Sequence, residues 1–161
     1  MQSLQNLSHT LGQMLLLEKQ VLVTAESCTG GGVASAITDI AGSSQWFDRA
    51  FVTYTNEAKQ EMIDVKEATL AAYGAVSEPV VIEMVQGALA HSHGTIGVSI
   101  SGIAGPGGGS EAKPVGTVCF AWANRDGWLK VSTEHFAGDR AQVREQAVRH
   151  ALSVISQYLA G

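Results

Sequence analysis

The sequence sets a glycine-rich stretch directly behind each of two short apolar runs. Residues 21–25 (VLVTA) lead into 26–32 (ESCTGGG), and residues 95–101 (TIGVSIS) lead into 102–109 (GIAGPGGG). The uncharged, β-branched run 21–25 reads as a buried strand, and the alternation of Ile96, Val98 and Ile100 makes 95–101 a strand as well. Glycine immediately beyond it means backbone that turns tightly or approaches something closely. In open α/β sheets, ligands bind in the crevice at the carboxyl ends of the strands. Both stretches are therefore candidates for a binding site as well as for plain strand-to-helix turns. Eight of the 18 glycines in the 161 residues fall in them. With 3 prolines and no Gly-X-Y period, neither a collagen nor a low-complexity chain accounts for the excess.

Around these stretches, helix and strand signals alternate. Leu4, Leu7, Leu11, Met14 and Leu15 recur at helical spacing and predict an opening amphipathic helix. Val33, Ile37 and Ile40 continue that spacing after the first glycine stretch and stop at Gly42. Residues 50–55 (AFVTYT) predict a second strand, with Asn56 capping a helix through Lys59 and Met62. A short helix around 70–73 ends at Gly74. Ser77-Glu78-Pro79 then opens a helix whose stripe is Val81, Met84, Val85, Ala88 and Leu89. Residues 115–123 and 128–136 predict a hairpin. Asp139 is the expected cap of a last helix with Val148, Ala151, Leu152, Ile155 and Leu159 on its inner face. The expected fold is an α/β three-layer sandwich, helices on both faces of a largely parallel, mixed sheet, in a single domain over 1–161.

Totals narrow the function. Ten Lys and Arg against fifteen Asp and Glu give a net charge of −5, with no basic cluster. A protein that neutralises phosphates along a nucleic acid needs the opposite sign, so no nucleic-acid partner is expected. Two distant cysteines, Cys28 and Cys119, suit a reducing cytoplasm better than a disulfide framework. The first twenty residues lack the features of a signal peptide. No apolar run approaches the ~20 residues that cross a bilayer, so no membrane partner is expected.

Neither glycine stretch matches a phosphate-loop or dinucleotide fingerprint, and Ser27 is not in a G-x-S-x-G elbow. Ser27, Tyr54 and Lys59 are nonetheless the chemical group of interest. If the strands at 21–25 and 50–55 are neighbours, all three share the carboxyl edge of the sheet. A serine hydroxyl needs a base to take its proton. A lysine serves when burial or nearby cations pull its pKa down towards about 7–8. The tyrosine could relay the proton or donate to an oxyanion. Ordinary readings stand beside these: Ser27 as a helix cap, Tyr54 as half-buried filler, Lys59 as a solvated helix residue. Cys28 reads as a small buried hydrophobe or a nucleophile. His91 and His93 lack a clear third ligand, so no metal is expected. Arg140, at the start of the last helix, could clamp a phosphate or pair with a surface acid.

The blocks TAESCTGG (24–31), FVTYTNEAK (51–59), GAVSEPVV (74–81), SISGIAGP (99–106) and KPVGTV (113–118) stand in this order along nearly the whole chain. Together they resemble the CinA C-terminal domain family, and the length fits the form of that domain that stands alone. The resemblance implies hydrolysis of the carboxamide of nicotinamide mononucleotide to nicotinate mononucleotide and ammonia, a step of pyridine nucleotide (NAD) salvage. It implies a serine amidohydrolase without metal or other cofactor. Ser27, Tyr54 and Lys59 match its catalytic blocks. Thr29, Gly30, Gly31, Ser101, Gly102, Gly105 and Arg140 are the expected substrate-binding residues, with backbone N–H groups of 29–31 holding the oxyanion. The alternative is a non-catalytic nucleotide-binding or interaction module, as an appended domain of this family could be. Trp46 and Phe47, taken as exposed aromatics, give the expectation of a homo-oligomer, a dimer.

Overall fold

The computed structural model describes residues 2–161. In chain order it has α1 (Leu4–Leu17), β1 (Leu22–Glu26), α2 (Gly32–Thr38), a 3₁₀ turn (Ser43–Gln45), β2 (Phe47–Val52), α3 (Asn56–Ile63), α4 (Glu67–Tyr73), α5 (Glu78–Ala90), β3 (Ile96–Gly102), β4 (Thr117–Asn124), β5 (Leu129–His135) and α6 (Arg140–Ala160). The strands form one five-stranded sheet in the order β2-β1-β3-β4-β5. β1 pairs in parallel with β2 and β3, while β4 runs antiparallel to both β3 and β5. Only β4 is reversed, so β1, β2, β3 and β5 all present their carboxyl ends at the same edge.

Each face of the sheet carries its own core. Leu7, Leu11 and Leu15 of α1, Val33 and Ile37 of α2, and Val148, Leu152 and Ile155 of α6 pack with Leu22, Val98, Phe120 and Trp122 from the strands. Val81, Met84, Val85 and Leu89 of α5, with Ile63 of α3 and Leu70 of α4, pack on Val23, Ala25 and Ala121 on the other side. This is the expected α/β/α sandwich. A fully buried leucine such as Leu11 or Leu152 contributes about 1.5–3 kcal/mol relative to leaving it in water. The Trp122 indole N–H, buried between β4 and α6, donates to Ala151 O at 3.0 Å, so its one polar group is satisfied.

Helix ends follow local chemistry. Ser3 caps α1 by accepting from the Asn6 N–H. Asp139 and Gln142 form a reciprocal capping box at α6. The cap of α3 is Thr55 rather than Asn56: its hydroxyl accepts from the Ala58 N–H at 3.1 Å. The helix after the first glycine stretch ends at Thr38, short of Gly42.

Two further sequence expectations are corrected. The second strand spans Phe47–Val52, not 50–55. It is an edge strand, where a charged pair such as Asp48 and Arg49 sits in solvent without breaking the pairing. The chain leaves the sheet at Thr53, whose N–H donates to Glu26 O. Trp46 is buried at 5% exposure, its ring lying where a Cβ on Gly12 of α1 would be, and Phe47 packs partly buried against the same core. The exposed-aromatic argument for self-association therefore falls.

Candidate active site

Four segments meet at the shared carboxyl edge: the turn after β1, the 53–55 link after β2, the glycine loop after β3, and the start of α6 after β5. Between them lies a cleft of about 290 Å³. Ser27 is the first residue past β1, and its N–H still pairs with β3 through Ile100 O at 3.0 Å. The chain then reverses, with the Gly30 N–H donating to Ser27 O at 2.9 Å. Gly30 and Gly31 take φ values of 59° and 96°, a region that only glycine enters without strain.

Lys59 lies in α3, and its side chain runs back beneath the end of β2. Its Nζ donates to Ser27 Oγ at 3.1 Å, to Thr53 O at 3.0 Å and to Tyr54 O at 3.4 Å. The residue is 1% exposed. No carboxylate lies within ion-pair distance of it among the described residues. Burial therefore holds its pKa below the ordinary 10.5, opposed only by the nearby Cys28 thiol. A buried, uncompensated lysine next to a buried serine hydroxyl is chemically equipped to take that hydroxyl's proton. Cys28 offers no comparable nucleophile, since burial pushes its thiol up to about 12.

Tyr54 enters differently from expectation. Its main-chain carbonyl is within 3.4 Å of both Ser27 Oγ and Lys59 Nζ. Its phenol, on a side chain 55% exposed, instead accepts from Arg140 Nη2 at 3.1 Å. A second guanidinium nitrogen of Arg140 donates to Gly105 O at 2.7 Å. Arg140 thus joins the β2 link to the glycine loop across the cleft mouth. The phenol makes no direct hydrogen bond to the serine–lysine pair; its partner is Arg140.

Ser101, Gly102 and Gly105 line the cleft, as does Arg140. Thr29, Gly30 and Gly31 do not. The Thr29 hydroxyl is turned inward to Glu26, and the Gly30 N–H is spent on Ser27 O. The N–H groups at the start of α2 are not free either, because Val33 and Ala34 both donate to the Glu26 carboxyl. Of the three expected oxyanion donors at 29–31, the Gly30 N–H is therefore committed to the turn itself. Asn56 and Val76 line it and were missed. Glu26 and Arg144 were missed as well. A signal for Glu26 existed, an acid just ahead of a helix start, where anions are favoured.

The lining residues include the guanidinium of Arg140 and no acid, in a chain of net charge −5. The cleft is electrostatically suited to an anion. A larger groove of about 500 Å³ runs beside α6 near Gly138, Gln142 and Arg149, but it holds no nucleophile–base pair. His91 Nε2 pairs with Asp64 Oδ2 at 2.5 Å, away from the cleft. No group of three or more His, Cys, Asp or Glu side chains is arranged to hold a metal among the described residues.

Fold and cleft together define the class: a three-layer α/β/α protein with a buried serine–lysine pair at the carboxyl edge of its sheet. The chain belongs to the CinA C-terminal domain family, whose profile matches residues 4–159. It is 58% identical to the nicotinamide-nucleotide amidohydrolase PncC of Escherichia coli K12, over 96% of this chain and 93% of that protein. It is 47% identical to the PncC of Pseudomonas putida, over 98% of both. A CinA-like protein of Mycolicibacterium gilvum is 45% identical over 91% of this chain but only 35% of its own length. The crystal structure of the competence/damage-inducible protein CihA from Agrobacterium tumefaciens superposes with a TM-score of 0.95 at 41% identity, over 98% of this chain and 96% of that one.

Proposed function

We propose that this chain is a nicotinamide-nucleotide amidohydrolase in which Ser27 is the nucleophile and Lys59 its base. The observation that carries the reading is the 3.1 Å contact between two buried side chains in an acid-free cleft. The full-length similarity to PncC proteins names the substrate.

Neutral Lys59 takes the Ser27 proton as Oγ attacks the carboxamide carbon of nicotinamide mononucleotide. The oxyanion is held by main-chain N–H groups of the turn that follows Ser27, where Cys28 lines the cleft. Such donors are worth about 3–4 kcal/mol each in comparable hydrolases. Lys59 returns its proton to the departing nitrogen, the C–N bond breaks and ammonia leaves. Water then loses a proton to Lys59 and attacks the acyl ester. Nicotinate mononucleotide departs and Ser27 regains its proton. Arg140 and the glycine loop around Gly105 hold the substrate phosphate. Tyr54 contributes its carbonyl as an acceptor for the Lys59 ammonium and its phenol as a support for Arg140. The reaction serves pyridine nucleotide salvage. Two buried, unpaired thiols suit the reducing cytoplasm. No helix among the described residues is long and apolar enough to cross a membrane.

The test is ammonia release from nicotinamide mononucleotide by the purified protein with a chelator present. Turnover that Ser27→Ala removes is the expected result. Nucleotide binding without turnover would make the chain a sensing module, and turnover lost to the chelator would require a metal.

A further inference from the structure

The turn that carries Ser27 holds itself through main-chain hydrogen bonds, Gly30 N–H to Ser27 O and Gly32 N–H to Thr29 O, with no large side chain to pack it. Two of its glycines sit at positive φ, and its side chains are small. Two charged side chains grip it from outside the cleft. Glu26 is fully buried and uses both carboxyl oxygens: Oε1 accepts from the Thr29 hydroxyl at 2.7 Å and the Val33 N–H at 2.9 Å, and Oε2 from the Thr24 hydroxyl at 3.1 Å and the Ala34 N–H at 3.0 Å. Arg144 of α6 takes the opposite polarity. Its Nε donates to Cys28 O at 3.1 Å and its Nη2 to Thr29 O at 3.2 Å. The same guanidinium lies 3.1 Å from where a Cβ on Gly30 would be, so it covers the turn itself.

We propose that Arg144 and Glu26 are positioning residues that aim the Ser27 hydroxyl at Lys59. Because a trans peptide directs its N–H opposite to its C=O, drawing the carbonyls of Cys28 and Thr29 towards α6 sets both peptide planes. Glu26 takes the Thr29 hydroxyl of the turn and the Val33 and Ala34 N–H groups of the helix behind it. Neither side chain lines the cleft, and Arg144 faces a separate groove with Leu4, Gly32 and Val148. Their effect on the reaction therefore passes through Ser27. The inference rests on the serine reading of the preceding subsection.

The experiment is steady-state turnover of nicotinamide mononucleotide by full-length Arg144→Ala and Glu26→Gln. Loosening a reacting group by a fraction of an ångström to 1 Å costs on the order of 10- to 100-fold in rate. That loss is expected in kcat, with KM nearly unchanged. Free guanidinium ion, entering the groove beside α6, should restore part of the Arg144→Ala activity, and labelling of Ser27 by a sulfonyl fluoride should fall and recover in parallel. An unchanged kcat, or a rise in KM alone, overturns the proposal. If Arg144→Ala does not fold, Arg144→Lys is measured instead. Its single ammonium replaces a two-pronged donor, and a wild-type kcat there is equally fatal. Full turnover by Ser27→Ala would defeat the serine reading itself. An inactive Ser27→Ala beside a fully active Arg144→Ala would defeat only this inference.

Discussion

Ser27 Oγ and Lys59 Nζ stand 3.1 Å apart, both shielded from solvent, with no carboxylate to fix the lysine's charge. The lysine's partners besides the serine are carbonyl oxygens, of Thr53 and Tyr54. They orient the amine without supplying the full negative charge that would keep it protonated. Burial then favours the neutral amine, and its pKa falls below 10.5.

The rate of amide hydrolysis should therefore rise with pH along a limb centred below 10.5, as Lys59 loses its proton. Stability should follow in the same sense. The unfolded lysine binds its proton up to 10.5 while the folded one has released it, so the contribution of Lys59 is complete above 10.5 and is lost as pH falls through the depressed folded value. Lys59→Met should abolish turnover and flatten that part of the stability profile. A rate limb centred at or above 10.5 would remove Lys59 as the base.

Tyr54 and Arg140 make the second prediction. The phenol touches Arg140, not the serine–lysine pair. Tyr54→Phe should therefore raise KM several-fold through a less constrained Arg140 and leave kcat within a few-fold. Arg140→Ala should raise KM further, since a charge-assisted bond to a phosphate is lost. A collapse of kcat at constant KM in Tyr54→Phe would reinstate the phenol in proton transfer.

Cys28 adjoins Ser27 in the chain, yet its thiol is 6% exposed and pushed up to about 12 by burial. Only the thiolate alkylates readily. Native protein at neutral pH should resist iodoacetamide and keep its activity, while unfolded protein should react at both cysteines. Rapid inactivation of the folded protein by alkylation would make Cys28 a candidate nucleophile.

What the sequence made legible divides along physical lines. The periodic stripes of α1, α5 and α6 and the uncharged runs of β1 and β3 carry their own burial pattern, because their neighbours only need to be apolar. The placement of both glycine stretches at the sheet edge followed from their position directly behind a strand signal. β2 begins ahead of its apolar signal because an edge strand tolerates the charged Asp48 and Arg49 in its first half. Trp46 looked exposed because its partner is a missing side chain, Gly12 on another element. Tyr54 acts on the pair through a carbonyl, which every residue has and no pattern reveals. Arg144 grips the Ser27 turn from more than a hundred residues away, visible only once α6 lies beside α2, whereas Glu26 adjoins Ser27 and carried its signal in the acid ahead of a helix start.

Gly87 tests how far the site depends on helix packing. On α5 it faces the carbonyl of Ile63, the last residue of α3, so closely that a Cβ would overlap it. Alanine gains roughly 1 kcal/mol in helix propensity, but overpacking costs typically about 1–3 kcal/mol and forces α3 outward. Gly87→Ala should lower Tm, at about 2–4 °C per kcal/mol lost for a domain of this size, and reduce turnover because α3 carries Lys59. A Tm at or above wild type would mean that the α3–α5 contact yields freely.

His150 carries the last prediction. Its ring sits edge-on among Phe120, Trp122 and Phe136 at centroid distances of 4.7, 5.6 and 6.1 Å. Its Nε2 is buried without a hydrogen-bond partner, and Glu134 is 3.7 Å away, beyond hydrogen-bond range. Burial lowers the pKa below 6.5, outweighing the attraction of Glu134, with Lys130 acting in the same direction as burial. Between the folded value and 6.5 the unfolded chain binds the extra proton. Stability from the neutral ring is therefore full above 6.5 and is lost as pH falls through the folded value. Thermal unfolding followed across that interval should show Tm declining with acidification in the wild type and declining less in His150→Phe, which keeps a ring in the aromatic cage and removes the titration. Identical slopes for the two proteins would mean that Glu134 offsets the burial of His150 completely.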